Sequence, residues 1–123
     1  MLNLVLIACA GGVGALCRYG LAGLVHRVLG PTFPWGTFVV NVVGCFFFGV
    51  VWALAEQTLL ISSQARLVVL TGFMGAFTTF STFIFESGML FQDGQWFFGL
   101  FNLAGQNLLG LAALFLGMAA ARF

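Results

Sequence analysis

Apolar residues in this chain fall in long unbroken runs, with no period-two alternation to suggest half-buried strands. Four runs stand out, residues 2–25, 35–55, 65–90 and 96–121. A helix that crosses a bilayer needs about 20 mostly apolar residues, and each run meets that length. The breaks between them carry loop punctuation: Gly30-Pro31-Thr32-Phe33-Pro34, then Glu56-Gln57-Thr58 with Ser62-Ser63-Gln64, then Gln92-Asp93-Gly94-Gln95. Trp35 and Trp96 open two of the runs, where an amphipathic ring prefers the headgroup level. The pattern predicts an all-α membrane protein, one domain of four transmembrane helices over residues 1–123, with no soluble domain, repeat or low-complexity tract.

Composition sharpens this. Hydrophobic residues make up 62% of the 123, and charged residues 6%. Soluble domains carry about 25% charged residues, so soluble enzymes and disordered linkers are excluded. A net charge of +1 leaves no electrostatic footprint for nucleic acid. Cys9, Cys17 and Cys45 are odd in number, lie within apolar runs and form no C-x-x-C pair, which points to small buried side chains rather than a disulfide framework. Leu6-Ile7-Ala8-Cys9 has the look of a lipoprotein cleavage box. No basic residue precedes it and the apolar run before it is short, so the first segment is expected to be a retained helix.

Orientation is normally set by Lys and Arg in short loops. There is no Lys, and the only arginines are Arg18, Arg27, Arg66 and Arg122. Four spans place Arg66 and Arg122 on one side, and Arg27, with Arg18 if it reaches the interface, on the other. That near balance fits either a weakly oriented protein helped by a partner or a chain that inserts both ways and pairs with itself antiparallel. Small residues such as Gly11, Gly14, Gly44, Gly49, Gly105 and Gly110 allow close helix contact. Four helices enclose little interior, so a polar pathway forms more readily between subunits than within one.

Polar residues inside a span are costly and mark candidate functional positions. Thr37 and Asn41 are four apart on one face of the second span, and Asn102 and Gln106 are four apart on the fourth, with Asn107 beside them. The third span holds Thr78, Thr79, Ser81 and Thr82 within five positions, after Gly72 and Gly75, and then Glu86. Taken singly, such residues bond back to a carbonyl four residues earlier or glue helices together. Together they suggest a polar track. Glycines and competing hydroxyls make the third span either a kinked helix or a broken one. A break would free carbonyl oxygens at membrane depth, and such oxygens suit a small cation. Phe80 and Phe83 share a face; they either pack against lipid or turn positive ring edges toward a small anion. Arg18 either snorkels to the interface or forms an anion-attracting mouth. Glu86 pairs with an Arg, accepts hydrogen bonds or is protonated. His26 has no assigned role. No Ser/His/Asp set, metal cluster or phosphate loop points to an enzyme.

Gly75-Ala76-Phe77-Thr78-Thr79-Phe80-Ser81-Thr82-Phe83 resembles the signature of the Fluc (CrcB) fluoride channels. So do Gly14-Ala15-Leu16-Cys17-Arg18-Tyr19, Pro34-Trp35-Gly36-Thr37 leading into Asn41-Val42-Val43-Gly44, and the stretch from Asn102 to Gly110. The resemblance covers essentially the whole chain. It implies a dual-topology antiparallel homodimer in a bacterial inner (plasma) membrane, with two pores that pass fluoride passively. It also implies a third helix broken at this segment. Carbonyls of Gly75 and Thr78 would join their mates around a central Na⁺. Phe80 and Phe83 would line the path, Asn41 would contact the ion, Thr37, Ser81, Thr82 and Glu86 would belong to the polar track, and Arg18 to the vestibule.

Three positions depart from the family pattern. Some members carry Tyr and Ser where this chain has Asn102 and Gln106, and a common Gly is replaced by Ala76. The anion's identity comes from the resemblance; the residues supply only a rationale for a small, strongly hydrated ion. One rival is an antiparallel small multidrug transporter, which needs an acid in its first helix, and the first run has neither Asp nor Glu. The other is a non-conducting assembly subunit, which leaves the polar track unexplained.

Overall fold

The computed structural model describes residues 1–58 and 61–122. Its elements, in order, are α1 (Leu2–Leu29), α2 (Trp35–Gln57), α3 (Ser63–Leu67), a π-helical stretch (Val68–Met74), α4 (Gly75–Phe77), α5 (Phe80–Gln92) and α6 (Trp96–Ala121). No strand occurs among the described residues. Leu2–Leu29, Trp35–Gln57, the consecutive pieces over Ser63–Gln92, and Trp96–Ala121 are each long and apolar enough to cross a membrane.

The helix ends follow local chemistry. α1 was expected to end near Val25 but continues through His26 and Arg27 to Leu29. Nothing before Gly30 halts it, and two basic side chains sit well against the negative end of a helix. Gly30 stops it at φ 86, with its N–H donating to the His26 carbonyl. At that φ a Cβ is disfavoured, so glycine ends the helix where a leucine or arginine would have continued it. α3 is capped by Ser62, whose hydroxyl accepts from the Ala65 N–H at 3.1 Å. The π-helical register that follows was not anticipated from the sequence.

α2 and α6 form the main contact. At Gly49 a Cβ would collide with the Leu114 carbonyl, and at Gly117 with the Phe46 carbonyl, so the two backbones touch directly. α1 lies on the π-helical stretch in the same way, with Gly14 against the Phe73 carbonyl. Val40, Leu70, Met74 and Phe77 make the central core; Phe33, Phe38 and Leu90 make a second cluster near the α1–α2 connection. Of α1, only Gly14 is buried, so most of this helix faces outward.

Candidate ion pathway

The polar residues gather where two extended residues interrupt the helical pieces of the third span. α4 stops at Phe77, and Thr78 (φ −87, ψ 160) and Thr79 (φ −149, ψ 123) are extended before α5 begins at Phe80. Each hydroxyl has a local job. Thr78 donates its hydroxyl to the Met74 carbonyl at 2.9 Å. Thr79 caps α5, its oxygen accepting from the Thr82 N–H at 3.3 Å while its hydroxyl donates to the Thr82 oxygen at 3.1 Å. Extended backbone leaves peptide groups without helical partners, and inside a membrane these must be satisfied by protein. Asn41 of α2 does this for Thr79. The Thr79 N–H donates to Asn41 Oδ1 at 2.9 Å, and Asn41 Nδ2 donates to the Thr79 carbonyl at 3.0 Å. One carboxamide thus stands in for a missing backbone neighbour. Gly44, one turn further along α2, leaves room for the Thr78 methyl.

From Asn41 the amides continue in a row. Asn41 Nδ2 donates to Gln106 Oε1 at 2.7 Å, and Gln106 Nε2 donates to Asn102 Oδ1 at 2.9 Å. Asn102 Nδ2 then donates to the Ser87 hydroxyl oxygen at 2.8 Å, and Ser87 donates to the Phe83 carbonyl at 2.8 Å. Asn102 is 0% exposed, Ser87 2% and Gln106 7%. The row therefore runs through the protein interior from the start of α5 to its middle. Both Asn41 N–H groups are used within it.

The phenylalanines flank this row. Phe80 and Phe83 stand edge to face, centroids 6.0 Å apart at 62°. Phe83 is 6% exposed and Phe80 74%. Both line a cavity of about 310 Å³ together with Asn41, Thr78, Thr79 and Gln106. A separate, larger cavity of about 770 Å³ is lined by Arg18, Thr37, Thr82 and Glu86 among others. Thr37 and Asn41 share a helix face, yet they open onto different cavities. Arg18 is half-buried, and its Nε donates to the Ala76 carbonyl at 3.0 Å. A guanidinium thus caps the last turn of α4 from the α1 side. Glu86 keeps one buried oxygen, Oε1, without a hydrogen-bond partner.

Two singled-out residues stand apart from the row. Ser81 is exposed, and Asn107 is exposed with its amide turned back to the Leu103 carbonyl at 2.6 Å. Gly75 is exposed and Thr78 half-buried, both at the end of α4. Sequence reasoning passed over Ser87. Its only signal was a small hydroxyl residue beside Glu86 in an apolar helix, and what makes it matter is a contact with Asn102, 15 residues on.

The profile of the family described as "CrcB-like protein, Camphor Resistance (CrcB)" matches residues 5–118. A protein of Nitrosococcus oceani named "Fluoride-specific ion channel FluC" is 58% identical over 111 residues, covering 90% of this chain and 89% of that one. A protein of the same name from Solidesulfovibrio magneticus is 59% identical over 116 residues, covering 94% and 93%. A third, from Nitratidesulfovibrio vulgaris, is 53% identical over 122 residues, covering 99% and 98%.

Proposed function

Because the chain belongs to the CrcB family, we propose that it is a passive, fluoride-selective channel of a bacterial inner membrane. The observation that carries this reading is the row of amides beside the edge-to-face phenylalanine pair, both opening onto one cavity. Fluoride is small and holds its water tightly. A path for it must offer close hydrogen-bond donors in place of that water. It must also avoid a fixed full charge in its narrow part, because an ion that binds too strongly does not leave. The second N–H of Gln106, not used in the row, and positive ring edges meet both needs. Arg18, held against Ala76 at the wall of the wider cavity, adds long-range attraction for an anion there.

The pathway lies between two copies of the chain, inserted in opposite directions. Phe80 is exposed on a single protomer, while the extended backbone at Thr78 and Thr79 lies within a membrane-spanning segment. Asn41 meets the Thr79 peptide groups within one protomer, and a second copy lying against this stretch would enclose the ring of Phe80 and the cavity beside it. The even spread of Arg18, Arg27, Arg66 and Arg122 gives the chain no preferred direction of insertion, and an antiparallel homodimer uses both directions.

A central Na⁺ fits the residues present. Among the described residues no group of three or more His, Cys, Asp or Glu stands ready for a metal. The carbonyls of Gly75 and Thr78 are hard oxygens at a helix end near the protomer surface, where a second copy can bring its own pair. Bound there, the ion supplies positive charge in a low-dielectric setting, which favours a nearby anion. Thr37, Thr82 and Glu86 line the wider cavity with Arg18; Ser81, exposed on α5, belongs to the track only if the second copy covers it.

The test is efflux from liposomes that hold the purified protein. Fluoride release followed with a fluoride electrode, with chloride retained, supports the reading. No release, or equal loss of both ions, rejects it.

A further inference from the structure

We infer that Ser87 is a positioning residue for the conduction path, anchoring the amide row to the backbone of Phe83 so that donors and ring are held as one unit. The inference rests on the channel reading above.

A carboxamide looks nearly the same when turned over, so a row of three amides has two possible senses. The ends decide between them. At one end, Thr79 presents both its N–H and its carbonyl to Asn41, which fixes Oδ1 on the first and Nδ2 on the second. The second N–H of Asn41 then meets Gln106 Oε1, and Gln106 Nε2 meets Asn102 Oδ1. The row therefore arrives at its far end with an N–H of Asn102 that needs an acceptor. Asn102 is 0% exposed, so water does not supply one. Ser87 does, at 2.8 Å.

A hydroxyl has one hydrogen and two lone pairs. Ser87 gives its hydrogen to the Phe83 carbonyl, four residues earlier on α5. Only lone pairs remain to face Asn102. Both ends of the row thus demand the same sense, and the chain of bonds closes on the residue whose ring stands edge to face with Phe80. An alanine at Ser87 would leave the Asn102 N–H buried and unpaired and would cut the tie between the amides and Phe83. The amides could then drift or turn an oxygen toward the cavity, where it repels an anion. Nothing else at Ser87 reaches the cavity that holds Phe80 and Phe83; its lining includes Gln106 and Asn41 but not Ser87. Its influence passes through Asn102.

A double-mutant cycle in liposome flux separates positioning from packing. Wild type, Ser87→Ala, Asn102→Ala and the double variant are compared for fluoride efflux and for the fluoride-to-chloride flux ratio, each as the dimer peak from size exclusion. Ser87→Cys, close in volume and a poor hydrogen-bond partner, replaces the alanine variant if that one aggregates. We expect Ser87→Ala to lower fluoride flux about tenfold, the scale set by one buried unpaired donor, and to lower the flux ratio. The double variant should be no worse than Asn102→Ala alone. Unchanged flux and ratio in the Ser87 variant, or losses that multiply in the double variant, overturn the inference. A silent wild type overturns instead the channel reading on which it rests.

Discussion

α2 and α6 touch along most of their length, yet the two ends of that contact are built differently. Toward the end of α6, Gly117 lies on the Phe46 carbonyl and Gly49 on the Leu114 carbonyl. That end is dry and held by shape. Toward the start of α2, the contact is made by side-chain amides, with Asn41 on Gln106, which Asn102 holds in place from one turn earlier on α6. Between helices in lipid there is little hydrophobic force, so either close backbone contact or interhelical hydrogen bonds must hold them. The same helix pair uses the first where nothing needs to pass. It uses the second where its polar groups border the cavity with Phe80 and Phe83. On the proposed channel reading, the difference separates a clamp from a pathway wall.

Substitutions at the two ends should therefore act on different observables. The largest effect is expected at Asn41→Ala, which strips the Thr79 N–H, the Thr79 carbonyl and Gln106 Oε1 of their partners at once. Each buried unpaired group costs about 1–3 kcal/mol. Fluoride flux per dimer should fall by at least about a hundredfold, as an electrode assay on liposomes would show; flux close to wild type would break the distinction between the two ends. Gly117→Ala is the matching change at the dry end. Overpacking there should lower stability by about 2 kcal/mol in thermal unfolding in detergent, while flux per folded dimer stays near wild type. A large flux loss without a stability loss would reverse the assignment.

Phe80→Ile and Phe83→Ile come next. Each keeps an apolar bulk and removes the ring edge, whose aromatic geometry is worth about 0.5–1.5 kcal/mol. Conduction should drop about threefold to tenfold on that scale, with the dimer intact on size exclusion. Unaltered flux in both variants would count against the rings. The smallest effect is expected at Thr78→Val. Its hydroxyl only bonds back to the Met74 carbonyl, and its methyl is seated over Gly44. Flux within about twofold of wild type is expected, given that such a bond contributes about 1 kcal/mol; a loss as deep as that of Asn41→Ala would place Thr78 among the groups that face the ion.

How much of this was legible varies by the kind of contact involved. Apolar runs gave all four spans, because length and hydrophobicity are local properties. The first apolar run reaches about Val25, while the helix goes on to Leu29 and stops at Gly30, the first residue of the loop punctuation in the sequence. The spacing of Asn102 and Gln106 put them on one face, and they are bonded to each other. The partnership of Asn41 with Thr79, 38 residues apart, and of Asn102 with Ser87 could not be read, because each depends on how helices are set side by side. Nor could the run of hydroxyls be sorted into caps and back-bonds; that needs the backbone angles of Thr78 and Thr79. The π-helical stretch Val68–Met74 packs on α1, a contact that the apolar pattern likewise does not show.

In the proposed antiparallel dimer, the exposed Phe80 is covered by a second copy inserted the other way. A cysteine appended to the C-terminus, with Cys9, Cys17 and Cys45 replaced by alanine, tests that directly. Labelling of sealed membranes with an impermeant thiol reagent should tag about half of the chains, as equal insertion in both directions requires by the near balance of flanking arginines, and the rest should react once the membrane is opened. Labelling confined to one side would contradict the antiparallel dimer and the pathway it encloses.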